Sequence, residues 1–441
     1  MLIQSESDPM TFAVRLAFKG SICFKTLETS VLEAANSHPL LTSCVRSDDD
    51  SVSIFRTPPN ELRWVPSNLP PVINELSLDD SGLPLDLTPQ SDRIDLSREN
   101  GFKTFVAEHN GKTDVHFLFH HAACDGLGGF KFAEEVLARY HAAKTSTKFP
   151  IPAFDSELLK FRNPKCKNLL TWYRRLIRSG FVLPRRLFGM TGNSFAKIAT
   201  NSIDPDAKAN QPVSAVLEMP TLTLSSEETA TISRNAAERQ STTNEFLLDR
   251  LCQVLFAWNQ KFAANEAGKI RAIIPFSLRN STHETMPAAN CVSMVYVDSL
   301  AANENDSLAA ISKQFRFIRK WQIEYSWSQI AGFAFRSKRI ATLLRKQSSR
   351  HLCTTVLSNL GRPFKHSELP VQEDGCIQAG NLILQSAHLA APTTANTITT
   401  FGALFYASRL TLTMNYSKAK MTRDDAQDLM KLWGKSLTCL A

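Results

Sequence analysis

Residues 11–18 form a strand-like, mostly apolar run, and apolar positions then recur at helical spacing at Leu27, Val31, Leu32 and Ala35, so the chain opens on a strand followed by a helix. Pro39 ends that helix, because a proline disfavours helical geometry in the residue before it. Residues 40–46 and 51–56, on either side of Asp48-Asp49-Asp50, predict a hairpin. Prolines, serines and aspartates then dominate 58–100, which predicts loop with short extended pieces. Residues 101–109 and 113–121 form a second hairpin around Asn110-Gly111, a dipeptide suited to the tight turn that two-residue hairpins prefer. A helix over 128–143 follows, with Phe130, Ala133, Val136, Leu137 and Tyr140 on one face.

The second half repeats this mixture. A strand over 216–224 leads to a helix over 225–239, opened by the capping pattern Ser225-Ser226-Glu227-Glu228, and to a long apolar helix over 242–261. Further strands are expected at 270–277, 291–297, 354–357, 382–386, 397–406 and 409–416. The last helix, 423–437, has Thr422 as its N-cap and Asp424 and Asp425 in its first turn, where the helix dipole favours acids. Between the halves, 192–213 is rich in Asn, Ser, Ala and Asp without an apolar period. The organisation expected is an N-terminal lobe over 1–190, a linker over 191–213 and a C-terminal lobe over 214–441, both lobes α/β with mixed sheets.

A chain of 441 residues is long enough for two cores, and its apolar and charged fractions, 43% and 21%, are those of a globular body. No apolar run is long enough to span a bilayer, and the polar, acidic start (Glu6, Asp8) is unlike a secretory signal, so a cytoplasmic protein is expected. The nine cysteines are odd in number and show no C-x-x-C spacing, which reads as reduced core thiols and neither disulfides nor a zinc site. The net charge of +8 is unevenly placed: basic residues run from Lys160 to Arg186 with no acid among them. This is read first as a solvated basic helix, with an anionic carrier, coenzyme A phosphates or a membrane surface as the other readings. Over 308–350, basic residues alternate with aromatics, a pattern of a core-facing amphipathic helix pair or of a peripheral membrane contact; no reading motif for nucleic acid accompanies it.

The chemistry concentrates in His120-His121-Ala122-Ala123-Cys124-Asp125-Gly126, where a half-buried strand delivers two histidines to its end. Neutral imidazole can take a proton from an alcohol or amine as that group attacks a carbonyl, and this is the role expected of His121; His120 is read as a packed, hydrogen-bonded support. Asp125 serves either to orient a ring or, the preferred reading, to anchor the loop through an arginine. Gly126 and the glycines after it allow a tight turn and close backbone approach, with amides available to an oxyanion. Cys124 is assigned no chemistry, and no metal is expected, since adjacent strand-end histidines point apart.

H-H-x-x-x-D-G resembles the signature of the chloramphenicol acetyltransferase-like superfamily, which includes nonribosomal peptide synthetase condensation domains, alcohol acyltransferases and wax ester synthases. Weaker segments are similar in the same order: Ser37-His38-Pro39-Leu40-Leu41, residues 241–248, Ile274-Pro275-Phe276-Ser277-Leu278-Arg279, Asn290-Cys291-Val292 and Thr355-Val356-Leu357-Ser358-Asn359-Leu360-Gly361. The chain departs from the plant branch in having no D-F-G-W-G, and position 289 is Ala where many relatives have Gly. The resemblance implies two similar lobes arranged as a V, with a tunnel between them and His121 at its centre. It implies acyl transfer from a thioester donor, acyl-CoA or an acyl carrier protein as co-substrate, to a small-molecule alcohol or amine, without a bound cofactor. Arg279 becomes a surface residue, a substrate clamp or, by analogy with the family, the bridge to Asp125. Asn290, Ser358 and Asn359 are substrate-binding candidates, with side chains able to donate to an oxyanion or a substrate carbonyl, the other reading being that of strand-end turn residues. The other readings are a non-catalytic acyl- or carrier-binding protein of the same fold and a peripheral membrane lipid acyltransferase.

Overall fold

The computed structural model describes residues 10–47, 62–77, 93–146, 148–162, 195–200, 219–262, 268–300, 304–325, 353–393, 397–418 and 420–439. Two six-stranded sheets carry the fold. The first contains β1 (Thr11–Lys19), β4 (Val72–Leu76), β5 (Phe102–His109), β6 (Lys112–His120), β11 (Gln378–Ala379) and β12 (Leu382–Ala390), in the spatial order β11-β12-β1-β6-β5-β4. The second contains β7 (Thr221–Thr223), β8 (Ile270–Ser277), β9 (Val292–Ser299), β10 (Thr355–Asn359), β13 (Thr399–Tyr406) and β14 (Arg409–Tyr416), in the order β7-β14-β13-β10-β8-β9. Both are mixed: β4 runs parallel to β5, and β10 runs parallel to β8 and β13, while the remaining pairs are antiparallel.

Strand alternation decides which face of the first sheet is covered. Phe12, Val14, Leu16 and Phe18 of β1 enter one core with α1 (Phe24–Asn36) and α2 (Gly126–Thr145), while Ala13 enters a separate cluster on the opposite face. The second sheet packs against α3 (Ser226–Glu238), α4 (Thr243–Phe262), α5 (Glu304–Trp321) and α6 (Arg423–Thr438), around Trp433, Phe401, Phe315 and Leu251. Local signals read from the sequence appear as expected. Asn110 and Gly111 turn the β5–β6 hairpin with φ of 51° and 69°. Ser225 and Glu228 form a reciprocal capping box on α3, and Thr422 caps α6 by accepting from the Asp425 N–H.

Non-local pairing departs from the expectations. β2 (Ser43–Ser47) pairs with β3 (Leu62–Pro66), and β4 forms a sheet edge, both being short extended pieces of the kind expected within 58–100; residues 51–56, the expected hairpin partner, lie outside the described residues. The expected strand over 216–224 is reduced to Thr221–Thr223 among the described residues. Within the expected linker, residues 195–200 are built into the second core: Ala196 hydrogen-bonds through its N–H to the Lys269 carbonyl, and Asn259 and Trp258 of α4 hold Ala199. β11 and β12 come from the C-terminal half yet complete the first sheet, β12 pairing with β1. The end of β12 also binds the second sheet, where Thr413 donates to the Leu389 carbonyl at 2.5 Å and Thr400 and Asn415 donate to Ala391 at 3.0 and 2.9 Å. The basic stretch 160–186 lies outside the described residues beyond Arg162.

Candidate active site

β6 ends at His120, and the next five residues turn directly into α2. Both neighbours of the turn hold it: the His120 N–H donates to the Gly101 carbonyl at 2.9 Å and the His121 N–H to the Met10 carbonyl at 2.8 Å. The two histidines part company at this point. His120 is buried, its Nδ1 accepts from the Ala122 N–H at 3.1 Å, and burial pushes its pKa down to about 3, so it is a neutral structural ring. His121 is half-buried, with its ring 5.3 Å from that of Phe12.

On its other side His121 meets the C-terminal half. The Asn290 Nδ2 lies 2.6 Å from the His121 carbonyl oxygen, to which it donates, and 3.2 Å from the ring Nδ1. The Asn290 amide is oriented by its Oδ1, which accepts from the Val292 N–H at 3.2 Å, so the NH2 group faces His121. Burial lowers the His121 pKa, opposed by a hydrogen bond from the ring to the residue's own backbone and by the charge of Asp125.

Asp125 is the joint of the loop. Its side chain is the N-cap of α2, with Oδ1 accepting from the Gly128 N–H at 2.9 Å. Its other oxygen accepts from Arg279 Nη1 at 2.7 Å and from the Cys291 N–H at 2.8 Å, both from the second half. Burial would raise this carboxyl, but the Arg279 guanidinium and the two backbone N–H groups outweigh it and hold the pKa below the usual carboxylate range. Arg279 also donates through Nη2 to the Ala289 carbonyl at 2.8 Å. The approach is close because residue 128 lacks a side chain: a Cβ there would sit 3.1 Å from both the N and O of Ala289. At Gly126 a Cβ would meet Leu360 at 3.0 Å. Lys131, one turn further along α2, caps the carbonyls of Glu284 and Met286 at 2.5 and 3.1 Å.

The structure thus brings His120, His121, Asp125, Gly126, Arg279 and Asn290 together. Of the three readings open for Arg279, the bridge to Asp125 is the one found. Asn290, a substrate-binding candidate, grips His121, a contact that nothing local in the sequence specifies. Ser358 is buried in β10, in register with Gly402 of β13. Asn359 is engaged as a turn residue, with its Oδ1 accepting from the Gly361 N–H at 2.9 Å and its Nδ2 near Asn244 Oδ1 at 3.3 Å. Neither makes a described contact with His121. Cys124 is fully buried, and burial pushes its thiol well above the ordinary value, which leaves no thiolate for nucleophilic chemistry. Among the described residues, no group of three or more His, Cys, Asp and Glu is placed to hold a metal ion, and no helix is long and apolar enough to cross a membrane.

No family model and no curated protein matches the chain by sequence. Solved structures do match. The first condensation domain of the calcium-dependent antibiotic synthetase, in complex with a substrate analogue, superposes with a TM-score of 0.63 at 11% identity, covering 98% of this chain and 91% of that one. The starter condensation domain of rhizomide synthetase in complex with C8-CoA gives 0.62 at 13% identity over 98% and 90%. Polyketide synthase associated protein 5 from Mycobacterium tuberculosis gives 0.56 at 12% identity over 98% and 94%. Across nearly its whole length the chain has the condensation-domain fold, of the chloramphenicol acetyltransferase-like kind.

Proposed function

We propose that the protein is an acyltransferase in which His121 is the general base. The observation that carries this reading is the setting of one residue: its ring pKa is lowered by burial, its backbone carbonyl and ring edge are met by the Asn290 amide, and its loop is bound to both halves of the chain. Its Nε2 takes the proton from an alcohol or amine as that group attacks the carbonyl carbon of a thioester. The carbon–sulfur bond then breaks, and the imidazolium returns the proton to the departing thiolate, so no covalent acyl-enzyme is needed. A thiolate is a good leaving group, and most of the barrier lies in placing the acceptor and stabilising the oxyanion. The two substrates reach His121 from opposite sides of a channel between the two lobes. The donor is an acyl-CoA or a free-standing acyl carrier protein. C8-CoA in the rhizomide synthetase domain supports a thioester of that kind.

The test is thiol release from acetyl-, octanoyl- and palmitoyl-CoA with and without simple alcohols and amines, paired with mass detection of the ester or amide. Release is expected to depend on the acceptor and to fall by about a hundred- to ten-thousand-fold in His121→Ala, the loss typical of a missing general base. Wild-type turnover in that variant overturns the assignment. Binding of donor without any His121-dependent product would instead point to a non-catalytic acyl-binding protein.

A further inference from the structure

Away from His121, three helices of the second half enclose a cavity of about 330 Å³. Arg239 and Gln240 come from the end of α3, Arg250 from α4, and Leu308, Ala309, Ser312 and Arg316 from one face of α5. Among the described residues, no carboxylate lines it. Arg250 is buried, and its Nε lies 3.4 Å from the buried carboxylate of its neighbour Asp249. Arg239 and Arg316 make no ion pair among the described residues. The guanidinium carbons of Arg239 and Arg250 lie 5.9 and 5.4 Å from the ring centroid of Phe246, so one aromatic side chain carries two of the three cations. Ser312, at the wall, donates to the buried Glu245, which also pairs with Arg319 at 3.5 Å.

Like charges gathered in a concave space repel one another, and here two of the three lack a carboxylate partner. A single carboxylate ligand is satisfied by one guanidinium fork, whereas three forks around a small volume match an anion with several oxygens on tetrahedral centres. Arg250 is buried and lines a concave site, which favours a small ligand over the flat acidic surface of a protein or membrane. From this convergence of Arg239, Arg250 and Arg316 we infer that the cavity binds the diphosphate group of a small phosphorylated molecule. The site is separate from His121, and the inference does not depend on the acyl-transfer reading.

The experiment is calorimetric titration of the full chain with inorganic pyrophosphate, and separately with coenzyme A, at physiological ionic strength. Saturable binding of pyrophosphate at one site is expected. It should weaken at least tenfold, the scale of a lost charged hydrogen bond, in Arg239→Ala/Arg316→Ala. A smaller loss is expected in Arg239→Lys/Arg316→Lys, which keeps the charge and removes the fork. Unfolding midpoints of the variants close to wild type show that the change is local. Competition by coenzyme A in the wild type, absent in the alanine variant, identifies a coenzyme as the source of the diphosphate; pyrophosphate binding without such competition identifies a different phosphorylated molecule. Absence of saturable binding, affinity unchanged in the alanine variant, or binding only to anionic vesicles of phosphatidylserine overturns the inference.

Discussion

Replacing Arg279 by Ala tests the joint on which the site is built. In the wild type the Asp125 side chain is almost wholly buried, and its carboxylate is neutralised by one guanidinium and two backbone N–H groups. Removing one partner of a buried ion pair leaves an uncompensated charge, typically about 3–5 kcal/mol. The surviving bonds from Gly128 and Cys291 keep the cost near the lower end, and loss of the bond to the Ala289 carbonyl adds on the order of 1 kcal/mol. The sign of the pH dependence follows. Asp125 titrates below its unfolded value of about 3.9 in the wild type, so its stabilisation is complete above that pH and is lost as pH falls through the folded pKa. In Arg279→Ala burial acts without its counterweight and the pKa rises, so the variant is penalised only where the carboxylate is ionised. Urea unfolding at several pH values should show a deficit of about 3 kcal/mol or more at neutral pH that shrinks as pH falls through the variant's raised Asp125 pKa. The double variant Arg279→Ala/Asp125→Ala should be more stable than the sum of the single losses. A deficit under about 0.5 kcal/mol at neutral pH, or one independent of pH, refutes the reasoning.

Four further outcomes are expected. The acyl-transfer rate per unit of subsaturating acceptor should rise with pH through a pKa below 6.5 and be flat by neutral pH, because burial lowers His121; a pH–rate profile rising through 7 or above contradicts this. Asn290→Ala should lower turnover by about tenfold with little change in the donor's binding, since it frees the His121 ring without removing it; steady-state kinetics and a donor titration separate the two. His120→Ala should cost about 1–3 kcal/mol in chemical unfolding through the unpaired Ala122 N–H and the lost packing. Gly402→Ala should destabilise by at least about 1–3 kcal/mol, because its Cβ would stand 2.7 Å from the Leu389 carbonyl oxygen and collide with Thr413 Oγ1, where β12 joins the second sheet.

What could be read from the sequence was local. The Asn110-Gly111 turn, the Ser225 and Thr422 caps and the strand over 11–18 each depend on residues within a few positions, and each appears in the structure as expected. Pairings across long separations were not legible in that way. β3 and β4 are short extended pieces of a stretch whose composition otherwise says loop, and their partners, β2 and β5, could not be read from it. Residues 195–200 carry no period, yet the side chains of Asn259, Trp258 and Thr354 satisfy their backbone and hold them in place. The His121 motif was legible from its own residues and its resemblance, and Arg279 only through the family analogy. Asn290 illustrates the limit: its residue type suits a substrate contact equally well, and only the fold puts it 2.6 Å from His121.

The way the halves are joined bears on how the site works. His121 hangs between two anchors supplied by different parts of the chain, the Met10 carbonyl on β1's side and the Asn290 amide before β9. Four residues on, Asp125 repeats the arrangement, capping α2 with one oxygen and taking Arg279 and Cys291 with the other. A rotation of one half against the other by a fraction of an ångström would therefore act on the imidazole directly, through bonds of 2.6 to 2.9 Å, before it altered either core. Cores are close-packed and resist such shear, whereas a hydrogen bond weakens steeply once its geometry is lost. It follows that Arg279→Ala should lower acyl transfer more than its stability deficit predicts at temperatures where the variant remains fully folded. If activity instead tracks the folded fraction alone, the join is a scaffold and does not set the position of the His121 ring proposed as the base.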